Sequence, residues 1–108
     1  MTTVTVSDKF TEILASFGDL QESVNAALQR YTIDQLMTKI NGLHQKDEEY
    51  QKKYRLDFST FAKRTSEDEE FVKNVEANLS KTWEADLADW DFCYKGVEDW
   101  MKKLQDIF

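Results

Sequence analysis

The sequence predicts a mostly α-helical protein that opens with one short β-strand. Three observations carry this expectation. The 108 residues contain no proline and only three glycines, Gly18, Gly42 and Gly96, so the usual helix breakers are nearly absent. Residues 2–7 (TTVTVS) alternate β-branched apolar and polar side chains, a period of two that suits a strand. From Phe10 onward, apolar residues recur three and four apart, the period of a helix face.

In the expected strand, Val4 and Val6 face one way and Thr3, Thr5 and Ser7 the other. A single strand needs a partner. The chain has no second strand of similar quality, so the simplest partner is the same strand of another copy. A short helix should follow, capped by Ser7 or Asp8, with Phe10, Ile13, Leu14 and Phe17 on its apolar face and Gly18 at its end. Asp19 can cap the next helix, with Glu22 three residues on. The stripe of that helix is Leu20, Val24, Ala27, Leu28 and Tyr31. It either runs on through Leu36, Met37, Ile40 and Leu43 or restarts at Thr32, and Asn41 or Gly42 marks an end or a kink.

Residues 44–55 (HQKDEEYQKKYR) read as a solvated helix with one aromatic edge, Tyr50 and Tyr54. Leu56, Phe58 and Phe61 form an apolar knot beside a turn capped by Asp57 or Ser59. Thr65 or Ser66 should begin a helix whose first turn holds Glu67, Asp68, Glu69 and Glu70, where acids suit the helix dipole. The last segment is the most regular. Trp83, Leu87, Trp90, Tyr94, Val97, Met101, Leu104 and Phe108 are spaced alternately four and three apart, a coiled-coil-like seam.

The strand, short helix, glycine turn and longer helix together resemble the ribbon-helix-helix fold. The stretch FGDLQESVNAALQRY is similar to the start of the second helix in many antitoxins of that fold. YQKKYRLDFSTFAKR followed by WEADLADWDFCYKGVEDW resembles the C-terminal half of small antitoxin-like proteins of bacterial toxin–antitoxin pairs, with Arg55 in a place often held by glycine. The resemblance implies two units. Residues 1–44 would form a ribbon-helix-helix unit, a homodimer through the N-terminal strand that may reach operator DNA with Thr3, Thr5 and Ser7 in the major groove. Residues 45–108 would form an acidic, tryptophan-bearing helical region that binds and neutralises a basic toxin protein.

The residues themselves speak against strong DNA binding. The outward strand face has no Arg, Lys, Asn or Gln, and hydroxyls discriminate bases poorly. The whole chain carries a net charge of −7, which excludes a uniformly basic nucleic-acid binder. Between Thr65 and Trp100 there are eleven acids against Lys73, Lys81 and Lys95, and all three tryptophans. Aromatic anchors rimmed by acids suit a basic partner, which makes Trp83, Trp90, Tyr94, Trp100, Asp86 and Asp89 the candidate partner-binding residues. The same stripe would serve equally as an internal core against the Ile33–Leu43 segment.

Catalytic chemistry is not readable. His44 has no nucleophile beside it in the pattern, Cys93 sits in an apolar stretch, and Asp86, Asp89 and Asp91 do not share one helix face. No enzyme activity, metal or cofactor is expected. The start of the chain lacks the basic and apolar runs of a secretion signal, no segment is apolar enough for a membrane span, and one cysteine makes no internal disulfide. A cytoplasmic location follows as the expectation. Two other classes fit the same residues: a non-enzymatic all-helical interaction or adaptor protein, and a transcriptional regulator with no toxin partner.

Overall fold

The structure is a computed structural model that describes residues 3–108. Five helices follow one another: α1 (Asp8–Ala15), α2 (Leu20–Tyr54), α3 (Phe58–Glu67), α4 (Glu69–Asn78) and α5 (Trp83–Ile107). There is no strand among the described residues, which overturns the expected ribbon and with it the ribbon-helix-helix fold. Thr2, the first residue of the expected strand, lies outside the described residues, as does Met1. Residues 3–7 form neither a helix nor a paired strand. Their alternation suits a strand, yet a strand also needs a neighbour for its N–H and C=O groups, and the described residues supply none. Val4 and Val6 instead lie along α2, where they line a groove with Leu20, Val24 and Leu28.

Aspartates start three of the helices. Asp19 accepts from the Glu22 N–H at 2.9 Å, Asp57 from the Thr60 N–H at 2.7 Å and Asp68 from the Phe71 N–H at 3.1 Å. Each satisfies an orphan donor of a first turn. The break between α3 and α4 therefore falls at Asp68, not at the expected Thr65 or Ser66.

α2 runs unbroken for 35 residues, about 52 Å at 1.5 Å per residue. It passes straight through Asn41 and Gly42, the expected kink, and through the expected unit boundary at 44/45. Its apolar stripe does change face. Leu20, Val24, Ala27, Leu28 and Tyr31 fall on one side. Leu36, Ile40, Leu43, Asp47, Tyr50 and Tyr54 fall about 140° further round at 3.6 residues per turn. The second face packs against α5, which returns antiparallel along the C-terminal two-thirds of α2. Across this seam Gly96 lies so close to α2 that an added Cβ would meet Leu43 Cδ1 at 2.9 Å.

The core lies where α3 and α4 fold over the end of this α2–α5 hairpin. Tyr54, Phe61, Val75 and Trp90 are buried there, with Tyr50, Leu56, Phe58, Phe71, Trp83 and Leu87 packed around them. The first face of α2 carries α1 and residues 3–7, and α5 reaches it only at its last residue, Ile107, which lines a shallow pocket with Asn25, Leu28, Gln29 and Thr32. Between residues 3 and 35 no side chain is fully buried. The molecule is accordingly elongated, 67 × 23 × 18 Å, with a radius of gyration of 21.7 Å. A compact chain of this size would have about 13 Å.

Two backbone positions have positive φ. Gly18, at φ 134, makes the turn between α1 and α2. Arg55, at φ 60 and ψ 25, ends α2 in the left-handed conformation that glycine fills most readily, its N–H donating to the Gln51 carbonyl at 2.7 Å. Arg55→Gly should therefore stabilise the fold by about 0.5–1 kcal/mol, read as a higher midpoint in denaturant unfolding. Gly42, mid-helix with open space around its Cα, should accept alanine with a gain of about 0.5–1 kcal/mol, whereas Gly96→Val should lower the midpoint because Leu43 blocks the added methyls.

Candidate functional site

The acidic, aromatic face of α5 is the first place to look for function, and most of it faces inward. Trp90 is 0% exposed and donates its indole N–H to Asp47 Oδ1 at 2.6 Å. Its ring stacks with Tyr50 at 5.6 Å and Tyr54 at 6.0 Å, and Phe58 meets it edge-on at 5.6 Å. Asp47, the buried carboxylate of α2, also accepts from Gln51 Nε2 at 3.0 Å. Trp90 therefore holds the chain's own core together and presents nothing to a partner.

Asp86 and Asp89 flank Trp90 and are likewise engaged. Asp89 accepts from the Tyr50 hydroxyl at 2.6 Å and from Lys46 at 3.2 Å. Asp86 accepts from the Tyr54 hydroxyl at 2.5 Å and from Lys53 at 2.6 Å. Each aspartate thus takes one phenol and one ammonium from α2, one turn of each helix apart. The Tyr50 hydrogen bond outweighs burial and, with Lys46, holds Asp89 below the usual carboxylate range. At Asp86 burial is the largest single influence and pushes upward, but the Lys53 and Tyr54 hydrogen bonds together prevail and its carboxyl is also held low. The phenols respond in the opposite sense. Tyr50 is raised chiefly by its bond to Asp89 and then by burial, and Tyr54 by burial and then by its bond to Asp86.

The other α5 candidates are more open. Trp83 is half-buried and donates to Glu76 Oε1 at 3.0 Å. Tyr94 stacks on Phe58 at 4.8 Å and keeps its outer edge in solvent. Trp100 is half-buried under Lys103, whose ammonium lies 4.2 Å from the ring centre. The six candidates belong to one helix, yet they form no single outward surface.

Thr3, Thr5 and Ser7 are exposed, but without a strand they share no base-reading face, and they lie at the opposite end from the α5 tryptophans. Ser7 serves as the N-cap residue of α1, its carbonyl accepting from the Phe10 N–H at 3.0 Å. His44 and Cys93 are not brought together with other reactive groups among the described residues. His44 is solvent-facing, 3.9 Å from Asp47 and from Glu48. Cys93 is buried, and burial pushes its thiol upward, away from the reactive thiolate. No three metal-ligating side chains come together among the described residues.

The N-terminal tip, formed by residues 3–7, α1 and the first turns of α2, falls within the 1–44 unit expected to dimerise through its strand, but as an exposed apolar surface it was not foreseen. Phe10 and Ile13 on α1 and Phe17 in the turn that follows it make an outward ridge, with Phe17 77% exposed. On α2, the half-exposed Leu28 and the 65%-exposed Tyr31 continue this apolar surface. The groove between residues 3–6 and α2 is lined by Val4, Val6, Leu20, Val24 and Leu28 with Thr3, Gln21 and Asn25, and holds no charged side chain. The helical spacing of these residues is plain in the sequence. Their exposure was not, because a three-four stripe looks the same whether or not a helix covers it.

The paired tyrosines and aspartates set the pH range of the fold. The depressed aspartates contribute stability that is present above the ordinary carboxylate range and lost as pH falls through their lower folded values. The raised phenols contribute stability that is present below about pH 10 and lost as pH rises towards their folded values. Unfolding midpoints should thus fall at both extremes; Asp89→Asn should flatten the acid limb and Tyr50→Phe the alkaline one. Trp90→Phe, which keeps an aromatic ring but removes the indole N–H and leaves the buried Asp47 carboxylate with only Gln51 as donor, should cost about 2 kcal/mol in denaturant unfolding.

No protein-family model, no curated protein and no solved structure matches this chain.

Proposed function

We propose that this protein is a non-catalytic interaction protein whose N-terminal tip captures another protein surface, while the α2–α5 hairpin with α3 and α4 serves as its stiff support. The observation that carries this reading is the tip itself. Its apolar ridge and uncharged groove stand in solvent on a helix that is rigidly held only further along. Exposed apolar patches larger than a few hundred Å² are uncommon on proteins that act alone and mark binding surfaces. The burial of Trp90, and the tyrosine and lysine that each donate to Oδ2 of Asp86 and of Asp89, argue against the centre of the α5 face as the docking site.

A second reading keeps a basic partner, of the toxin kind, and places it at the acidic corner. Glu67, Asp68, Glu69 and Glu76 line one shallow depression at the junction of α3 and α4, with Lys73 among them. Binding there would neutralise the partner through charge and need no chemistry. DNA reading through a strand ribbon has no place in either account.

Salt and mutation separate the two. Tagged full-length chain should retain its bound protein, whether a different chain or its own untagged copy, as ionic strength rises, and should lose it on Phe10→Ser with Phe17→Ser. Capture that vanishes with salt and ignores those two changes would transfer the site to the acidic corner. Capture indifferent to both would overturn the proposal.

A further inference from the structure

We infer that the tip pairs with the tip of a second copy of this chain, so that two α1–α2 hairpins close into one apolar cluster. The inference rests on the interaction reading above and names its partner. Four observations support it.

The first concerns stability. Residues 3–35 hold two helices in a defined arrangement without one fully buried side chain. Isolated helices as short as the eight residues of α1 are marginal in water, and the stability of such elements comes from tertiary burial. The missing burial must come from outside the chain.

The second is complementarity within one tip. The ridge of Phe10, Ile13 and Phe17 is an apolar knob set, and the groove beside Val4, Leu20, Val24 and Leu28 is an apolar slot free of charged side chains. One chain therefore carries both halves of a ridge-into-groove contact. A partner chosen for strong charge would find nothing in this groove to pair with.

The third is area. The exposed parts of Val4, the ridge residues, Leu20, Leu28 and Tyr31 amount to roughly 800 Å², about the share each partner contributes to a standard-sized stable interface.

The fourth is electrostatic. Each copy carries −7, and the α3–α4 corner is strongly acidic. Tip-to-tip pairing of molecules 67 Å long sends the two acidic ends in opposite directions, many times the Debye length of about 8 Å. Contact through any surface near the corner would appose like charges.

Sedimentation equilibrium of the full-length chain over a wide concentration range tests this. The expected result is reversible conversion from the 12.7 kDa chain to a species of twice that mass. Ile13→Lys with Phe17→Lys should raise the dissociation constant at least tenfold at unchanged helical circular dichroism, since both side chains are exposed and their loss leaves the chain's own packing intact. Glu69→Lys at the acidic corner should leave the dimer unchanged. Because a charged variant could also loosen α1, Tyr31→Ser on the stable α2 helix serves as an independent probe and should weaken the pair as well. A monomer at every concentration, or a dimer insensitive to the tip variants, overturns the inference. A monomer whose tip still captures a different protein overturns only the self-pairing. A monomer that captures nothing overturns the interaction reading too.

Discussion

The bond between the Trp90 indole and the Asp47 carboxylate sets the geometry on which the rest of the molecule depends. Both groups are buried, and each needs the other. An indole N–H in an apolar core and a carboxylate without a partner would both be costly. Their meeting fixes the register of α5 along α2 at a single residue. Once that register is set, Tyr50 and Lys46 fall opposite Asp89, Tyr54 and Lys53 fall opposite Asp86, and Gly96 falls opposite Leu43. A slip by one turn would break all of these contacts together. Apolar packing supplies most of the attraction between the two helices, but the polar pairs choose one alignment among several that packing alone would allow.

This division of labour explains why the aromatic seam of α5 looks like a binding surface in the sequence and behaves as a core in the fold. Tryptophan and tyrosine combine a large apolar body with one polar handle, which suits an interface or a polar-stapled core equally well. The deciding feature is the partner of the handle. Asp47 lies in the middle of a stretch, HQKDEEYQKKYR, that reads as wholly solvated, and only the spacing from Leu36 through Ile40, Leu43 and Asp47 to Tyr50 and Tyr54 betrays its inward position. A buried acid at a core position breaks the binary pattern on which helix reading relies.

Much of the architecture was nonetheless legible. The scarcity of glycine and the absence of proline announce long helices, Gly18 falls at a real turn, and Asp19 and Asp57 cap as their positions suggest. Two things escaped for identifiable physical reasons. The alternation of residues 2–7 is a pattern of side chains, and it does not reveal whether a neighbouring strand exists to pair with. The α2 stripe changes sides without any break in the helix, so residues 20–31 and 36–54 each have normal helical periodicity while pointing in different directions. Arg55, which the sequence marks as standing in a place often held by glycine, has the left-handed conformation that glycine fills more easily.

The unbroken course of α2 has a further meaning for the way such a chain can change. Two unlike faces on one continuous helix are locked together by the helix's own pitch, so their angular relation is counted in residues. Adding or deleting a single residue between Thr32 and Gln35 would turn the tip by about 100° relative to the α5 seam, and three or four residues would be needed to bring it back near its starting phase. Length changes in the turns on either side of α3 carry no such penalty. The stretch between the two faces acts as a timing element, because its residue count sets their relative angle.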